Sequence, residues 1–516
     1  MHTKKSSPLL VQRLTGFLLA RAAQYRIPLI CAFLFGFLAH GFAFTNKLVN
    51  HDEVQCLFSK GATVSSGRWG LGILDTIFPN VSMPWIYGII TISLLAIAVC
   101  LLISVLEIRS KLLQGLTAGF VLSFPSLTGT FGYMFTASSY SVAFLLAVLS
   151  VWCLRKKGPG ILCGAFICMV ASLSIYQSYV SLAAALLVLL LIRDLLTGED
   201  AGVVLRRGLG YVAFLIVSLG LYWGATQLIL RLKHIPMGSY ASESITFDLR
   251  TLPEKVLLAY RCFFMNFIEM GLALIPASIS RRLHPLLAVC SAILFLLSAK
   301  KCKKLPNILL LAALLVVFPL AINCMYLFTA EDSIHTLVLY SFVCLYLLIF
   351  TVADLIWDTV LVDWKEQLRR LALNGAVLLA SVILLFNTYV ANEAYLNLYL
   401  RYENAYGFYS GLVADLTQSP EFTEGTRLAI IGDWHSPDFY FNNLEATYSL
   451  TGVTGFMPND YSQSAFLEYY LGISIPFASE AEVQGIIASP EYAEMPCYPY
   501  YGSMQKFGDI MVVKLS

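Results

Sequence analysis

The chain has 516 residues, of which 58% are hydrophobic and only 13% are charged, and its mean hydropathy is +0.73. Soluble domains carry roughly 25% charged residues, so this composition excludes a protein whose main solvent is water. The net charge of +2 gives no overall field that would attract nucleic acid, and no nucleic-acid partner is expected.

Most of the twelve cysteines lie inside apolar runs, where cysteine behaves as a small buried hydrophobe. The sequence has no CxxC pair and no His/Cys cluster at the spacing of a zinc site. We therefore expect no disulfide framework, and neither a metal ion nor a cofactor.

Apolar runs of the length that crosses a bilayer, about 20 residues, recur from residue 27 to residue 391. Residues 1–26 precede them, carry five Lys and Arg, and are predicted to form a cytoplasmic or interfacial segment with an amphipathic surface helix over 9–22. Residues 27–391 are predicted to form a mostly α, polytopic membrane helix bundle of about eleven spans. The predicted spans are 27–45, 84–106, 112–134, 137–154, 160–176, 178–196, 208–230, 283–299, 306–328, 334–355 and 371–391.

The orientation follows from Lys and Arg in short loops, which stay on the cytoplasmic side. With eleven spans, every basic loop falls on that side together with the N-terminus. Counting 256–279 as a further span would place the seven Lys and Arg of 300–304 and 365–370 outside. We therefore interpret 256–279 as interfacial or re-entrant, and expect the C-terminus on the outer side.

Three segments then face outward and are long enough to hold a site: 46–83, 231–282 and 392–516. The last has no spanning run, and its short apolar groups at 428–431 and 510–513 predict strands between helical stretches near 393–417 and 463–471. Such a length is sufficient for a small globular domain. We expect a C-terminal α/β extracytoplasmic domain.

The first outward segment begins with His51, Asp52 and Glu53, directly after the first span. Ionisable groups at a membrane boundary are often functional, and desolvation raises the pKa of a carboxyl group, which suits a general base. However, the first turn of any helix also favours Asp and Glu. The residues alone leave both interpretations open.

Two further groups are candidates for binding. Arg68 and Trp69 could hold a phosphate while the ring packs on lipid or sugar, although Arg and Trp are also ordinary interfacial anchors. Tyr176 and Gln177 lie between two apolar runs and offer hydrogen bonds to sugar hydroxyls, although such residues also join helices within a bundle.

Taken together, these motifs resemble the bacterial Gtr-type O-antigen glucosyltransferases, members of the GT-C class of polytopic glycosyltransferases. The resemblance rests on His51-Asp52-Glu53, on Ser66 to Gly70 and on Ser172 to Gln177. Further matches are Ala391 to Tyr395, Ile430 to Gly432, and the ending from Gly502 to Ser516.

The resemblance implies transfer of a glucosyl or other hexosyl unit from a polyprenyl-phosphate sugar to a lipid-linked O-antigen or other surface polysaccharide. The reaction would take place on the outer face of the bacterial cytoplasmic (inner) membrane, with the donor, the acceptor and membrane lipids as partners. In the GT-C class an acidic residue of the first outward loop is essential, a role that maps onto Asp52, with Glu53 as the second candidate. Arg68 matches the Gly-Arg-Trp motif and is implied to face the donor phosphate.

Two other functions compete with this one. A transporter or flippase for lipid-linked glycans would need polar groups along several spans, whereas the apolar runs here are nearly free of charge. A non-catalytic membrane scaffold of polysaccharide assembly would need only the outer domain. Sugar transfer that depends on Asp52 would distinguish an enzyme from both.

Overall fold

The computed structural model describes residues 10–58, 64–78, 81–156, 158–238, 250–265, 279–299, 302, 304–329, 336–434, 448–452 and 457–516. Within them, helices dominate, and eight are long and apolar enough to cross a membrane. The helices of the bundle are α1 (Leu10–Gln24), α2 (Arg26–Thr45), α3 (His51–Gln55), α4 (Trp69–Leu74), α5 (Pro84–Leu106), α6 (Lys111–Ser123), α7 (Pro125–Gly132), α8 (Met134–Leu154), α9 (Pro159–Ile175), α10 (Tyr179–Leu196), α11 (Ala201–Lys233), α12 (Leu252–Phe264), α13 (Ile279–Ala299), α14 (Leu305–Ile322), α15 (Val343–Trp357) and α16 (Trp364–Gln418).

The eight candidate spanning helices confirm the expectation of a polytopic membrane protein. Eight of the predicted spans correspond to spanning helices, namely α2, α5, α8, α10, α11, α14, α16 and the segment Thr336–Trp357 that ends in α15. The predicted spans 160–176 and 283–299 are apolar helices slightly shorter than a usual span, Pro159–Ile175 and Leu283–Ala299. Of the stretch 256–279, residues 266–278 lie outside the described part of the chain, so its re-entrant path stays a prediction.

The run 112–134 is two helices, α6 and α7, rather than the single continuous span expected. Pro125 has no backbone N–H, so the Val121 carbonyl loses the donor that a continuous helix would supply. The Tyr340 hydroxyl donates to that carbonyl oxygen at 2.6 Å, and His40 Nε2 donates to the Leu122 carbonyl at 2.8 Å. The prediction failed here because it followed hydropathy and did not take the proline into account.

The helix α16 contains 55 residues and is therefore about 80 Å long. A bilayer core is about 30 Å thick, so much of this helix must extend beyond it. The predicted span 371–391 and the helical stretch near 393–417 are parts of this one helix. The proposed boundary between 391 and 392 falls inside it, without a break in the backbone.

The C-terminal part beyond α16 contains a small sheet, as the strand pattern predicted. Its elements are β1 (Arg427–Ile431), α17 (Gln463–Tyr470), α18 (Glu480–Ile487), α19 (Pro490–Glu494), β2 (Met504–Phe507) and β3 (Ile510–Lys514). The strand order is β1-β3-β2, with β1 parallel and β2 antiparallel to β3. Alternate residues of β1 and β3 therefore face opposite sides of the sheet.

Both faces of this sheet are covered. Leu428 and Met511 belong to the large core that includes α16, whereas Ala429 and Val512 pack with Ile486 of α18 in a second cluster. This explains why the sequences of β1 and β3 are continuously apolar and do not alternate between apolar and polar residues.

Two ends of the bundle can be distinguished. The site end brings together α3, the start of α5, the start of α8, the end of α9 and the start of α10. The far end holds the loops after α5, α8 and α10, which ion pairs join to one another: Arg193 binds Glu107 at 2.6 Å and Arg155 binds Asp194 at 2.7 Å. The basic first turns of α16 also lie there, because Arg369 donates to the Ile356 carbonyl at the end of α15, and Asp354 of α15 accepts from the Ser110 backbone N–H in the loop after α5.

Candidate active site

The acidic pair lies on α3, a short helix whose start is fixed by Asn50. The Asn50 side-chain oxygen accepts a hydrogen bond from the Glu53 backbone N–H at 2.8 Å, a typical N-cap. Its amide group donates to the Thr451 carbonyl at 3.0 Å, in the C-terminal part of the chain. Asn50 is buried, so the direction of α3 is set by the bundle and the tail together.

Glu53 is completely buried, and both of its carboxylate oxygens are engaged. One oxygen accepts from the Lys47 ammonium group and the Ser82 hydroxyl. The other accepts from the Phe135 backbone N–H at 3.0 Å, in the first turn of α8. The carboxylate therefore joins the end of the first span to the starts of α5 and α8, an arrangement that suits an anchor.

Asp52 has a different environment, although it directly precedes Glu53 in the chain. Its side chain is exposed, and the described residues give its carboxylate no hydrogen-bond partner. The surrounding protein nevertheless desolvates it and raises its pKa above 3.8, the neighbouring Arg68 charge lowers the pKa in part, and Glu53 raises it again. Asp52 is thus a carboxylate that is accessible, less acidic than usual and close to a cation.

Arg68 is held against two stacked tyrosines. Its Nη1 donates to the Tyr140 hydroxyl at 3.2 Å, and its guanidinium carbon lies 5.6 Å from the centre of the Tyr176 ring. The Tyr140 and Tyr176 rings stack with centroids 4.2 Å apart. Cation–π contact and one hydrogen bond therefore orient the guanidinium while leaving it partly exposed.

Gln177 positions the loop that carries Arg68. Its Nε2 donates to the Ser66 carbonyl at 3.2 Å and to the Tyr222 hydroxyl at 2.8 Å, and that hydroxyl donates to the Gly67 carbonyl at 3.1 Å. Gly67 has a φ of +75°, and a Cβ there would fall 2.7 Å from the Tyr222 oxygen. The sequence predicted Gln177 as a substrate-binding residue; its amide nitrogen contacts the protein, and a role in binding substrate stays a prediction.

Trp69 also faces the bundle. Its indole Nε1 donates to the Thr226 hydroxyl of α11 at 3.1 Å. The following residue, Gly70, lies so close to α9 that a Cβ would fall 2.1 Å from the Ser174 Oγ. The Gly-Arg-Trp-Gly motif therefore places the loop tightly between α9 and α11, with Arg68 as its half-buried charged member.

The C-terminal part of the chain covers one side of α3. The Asn459 backbone N–H donates to His51 Nδ1 at 3.3 Å, and Phe58 packs edge-to-face on Tyr469 with centroids 5.1 Å apart. Tyr461 lies between these contacts along the chain, and its side chain is 56% exposed. Partial burial, followed by the nearby Cys56 and Asp52, raises the pKa of Tyr461 to about 12.

Sequence reasoning found Asp52, Glu53, Arg68 and Tyr176, which the structure brings to one end of the bundle. It missed Asn459 and Tyr461, because about 400 residues separate them from α3 and no local pattern marks them. Among the residues that the structure describes, no group of three or more His, Cys, Asp or Glu could hold a metal ion.

This fold and site define a polytopic helical membrane protein with an accessible carboxylate and an arginine at one end of its bundle. A family model, described as glucosyl transferase GtrII, matches residues 41–346, a range that includes the whole site apart from its C-terminal cover. The chain belongs to this glucosyltransferase family, and it is a membrane glycosyltransferase. Comparisons with curated proteins and with solved structures gave no significant match.

The environment of Glu53 predicts its effect on stability. Glu53→Ala is expected to lower the free energy of unfolding by roughly 3 kcal/mol, because Lys47 and two buried donors lose their acceptor. Asp52→Ala should change it by less than about 0.5 kcal/mol. Thermal and denaturant unfolding of the purified protein in detergent measure both, and equal losses in the two variants would contradict the anchoring role.

Proposed function

We propose that the protein transfers a glucosyl unit from a polyprenyl-phosphate sugar to a lipid-linked glycan on the outer face of the bacterial cytoplasmic membrane, with Asp52 as the general base. The observation that carries this proposal is the contrast between the two adjacent carboxylates. Glu53 is buried with both oxygens occupied, whereas Asp52 is accessible beside Arg68. Only Asp52 can approach a substrate without loss of an existing contact.

The reaction needs few protein groups. The acceptor hydroxyl has a pKa far above 7, so Asp52 takes its proton as the oxygen forms a bond to the anomeric carbon. The bond from that carbon to the phosphate oxygen breaks, and the polyprenyl phosphate leaves with the bonding electrons. This leaving group is charged at neutral pH and needs no general acid, while Arg68 stabilises the charge that grows on it.

The depth of the site fits a lipid donor. Asp52 and Arg68 lie between the end of α2 and the start of α5, two spanning helices, and therefore close to the membrane boundary. A polyprenyl-phosphate sugar presents its phosphate at that depth. The outward orientation is supported by the basic loops, which share the far end of the bundle, since Lys and Arg of short loops stay on the cytoplasmic side.

The C-terminal segment 457–470 is proposed to form the acceptor side of the site. It contacts His51 of α3 through Asn459 and Phe58, which follows α3, through Tyr469. Tyr461 combines an exposed ring with a hydroxyl close to Asp52. Aromatic rings and hydroxyl groups suit the apolar faces and the polar rims of sugars. An acceptor glycan that reaches Asp52 would pass along this segment.

Asp52→Asn tests the base directly. Loss of a general base is expected to reduce transfer from a synthetic polyprenyl-phosphate-glucose by about 10²- to 10⁴-fold, with the protein still folded. Asp363→Asn, at an exposed helix start at the far end, is the matched control and should retain full activity. Full activity of Asp52→Asn would refute the assignment, and absence of transfer by the unaltered protein would favour a flippase or a scaffold.

The pH dependence tests the pairing of Asp52 with Arg68. A base must be deprotonated, so kcat/KM should fall as the pH drops through the Asp52 pKa, which lies above the ordinary value of 3.8. Arg68→Gln removes the charge that lowers this pKa, so the acid limb should move to higher pH in addition to any loss of rate. A limb that stays in place or moves to lower pH would contradict the proposed contact.

Tyr461 tests the acceptor side. Tyr461→Ala should raise the KM for the acceptor about three- to tenfold through loss of a hydrogen bond and a ring contact, while slow hydrolysis of the donor by water stays unchanged. Tyr461→Phe separates the hydroxyl from the ring. Equal losses of transfer and hydrolysis would assign Tyr461 to the donor side or to stability instead.

A further inference from the structure

A polar cavity lies at the far end of the bundle, remote from the candidate active site. It has a volume of about 340 Å³ and lies between the ends of α5 and α8 and the first turns of α11. Its lining combines four charged side chains, two aromatic ones and a few small or aliphatic ones: Arg155, Lys156, Arg207, Glu107, Trp152, Tyr211, Ser104, Val105 and Leu154. None of these residues has a part in the reaction proposed above.

The side chains that line the cavity and those directly behind them carry more positive than negative charges. Arg155 binds Asp194 through both terminal nitrogens at 2.7 and 3.0 Å, and Arg207 Nη1 contacts both Asp194 and Glu199. The remaining acidic group, Glu107, is paired with Arg193. Among the described residues of this cluster, four cations therefore face three carboxylates, and an anion in the cavity would balance the excess positive charge.

Two of the cations keep donors available. Among the residues that the structure describes, no carboxylate pairs with Lys156, whose exposed ammonium group lies 5.1 Å from the centre of the Trp152 ring. Arg207 uses Nη1 for its two ion pairs, and no bond of its Nε or Nη2 to the described residues is found. An ammonium group and half of a guanidinium group are typical partners for a phosphate.

The position of the cavity indicates whether the phosphate belongs to a lipid headgroup or to a soluble anion. The spanning helix α8 ends at Leu154, in the cavity wall, so the cavity lies at the membrane boundary. Trp and Tyr are enriched at this depth, and Val105 and Leu154 offer apolar surface next to the charges. A basic pocket between helices that combines these features fits a lipid headgroup better than a soluble anion.

We propose that this cavity binds the phosphate of an anionic phospholipid, held between Lys156 and Arg207 beside Trp152. The site is separate from the glycosyl-transfer site. It connects a lipid of the opposite leaflet to the ends of α5 and α8 and to the first turns of α11. Bound lipid therefore stabilises the far end of the bundle.

The test uses the full-length protein purified in detergent, with phosphatidylglycerol as the probe and phosphatidylcholine as the uncharged comparison. Native mass spectrometry measures lipid binding, and thermal unfolding measures stabilisation. Phosphatidylglycerol should bind and stabilise more strongly than phosphatidylcholine. Lys156→Ala should weaken phosphatidylglycerol binding about fivefold, the contribution of one basic side chain near a membrane surface.

The matched control is Lys365→Ala. Lys365 also lies over a tryptophan, 6.0 Å from the Trp364 ring centre at the same end of the bundle, but outside the cavity. Its replacement should leave binding unchanged. Equal binding of the two lipids, or undiminished binding by Lys156→Ala, would overturn the proposal. Displacement of phosphatidylglycerol by millimolar inorganic phosphate would overturn its lipid part and assign the cavity to a soluble anion.

Discussion

The buried Glu53 carboxylate is the interaction on which the arrangement of the site depends. It lies where three separate segments meet, and it binds Lys47, Ser82 and the Phe135 backbone N–H. A buried carboxylate without partners would be strongly unfavourable, so these three groups must stay together for the chain to keep it there. Because Asp52 directly precedes Glu53 in the chain, this anchor also fixes the position of the accessible carboxylate.

A second constraint is the interruption at Pro125, which couples the bundle to its longest helix. The carbonyls released by the proline bind Tyr340 and His40. His40 in turn accepts a hydrogen bond from the Tyr395 hydroxyl of α16 at 2.7 Å. Within the membrane, where unpaired backbone groups are costly, these bonds hold α2, α6 and α16 in one arrangement. The helix α16 then carries the C-terminal sheet, and with it the segment that covers α3.

Hydropathy and the periodicity of apolar residues predicted much of this fold, because the residues within each spanning helix and each buried strand determine that element. They could not predict contacts between distant segments. The break at Pro125 has a local signal in the proline itself, whereas the unbroken course of α16 and the contact of Asn459 with His51 depend on which surfaces meet in three dimensions. The same limit applies to the site: the sequence identified Gln177 as polar and well placed, but its partner Tyr222 lies on another helix.

The two carboxylates show how one short motif supplies two chemical roles. Adjacent acidic residues at a helix start cannot be distinguished by propensity, since both are favourable there. Their side chains point in different directions from a helix of one turn, one into the bundle and one toward open space. Because their environments differ in this way, the two titratable groups can take different roles, Glu53 as an anchor and Asp52 as a base. A motif with two aspartates would fold in the same manner only if the inner carboxylate still reached Lys47 and α8. The inner position has the longer side chain, glutamate, which suits an anchor that must reach Lys47 and α8. The outer position has the shorter side chain, aspartate, which suits a base that must be held close to the backbone.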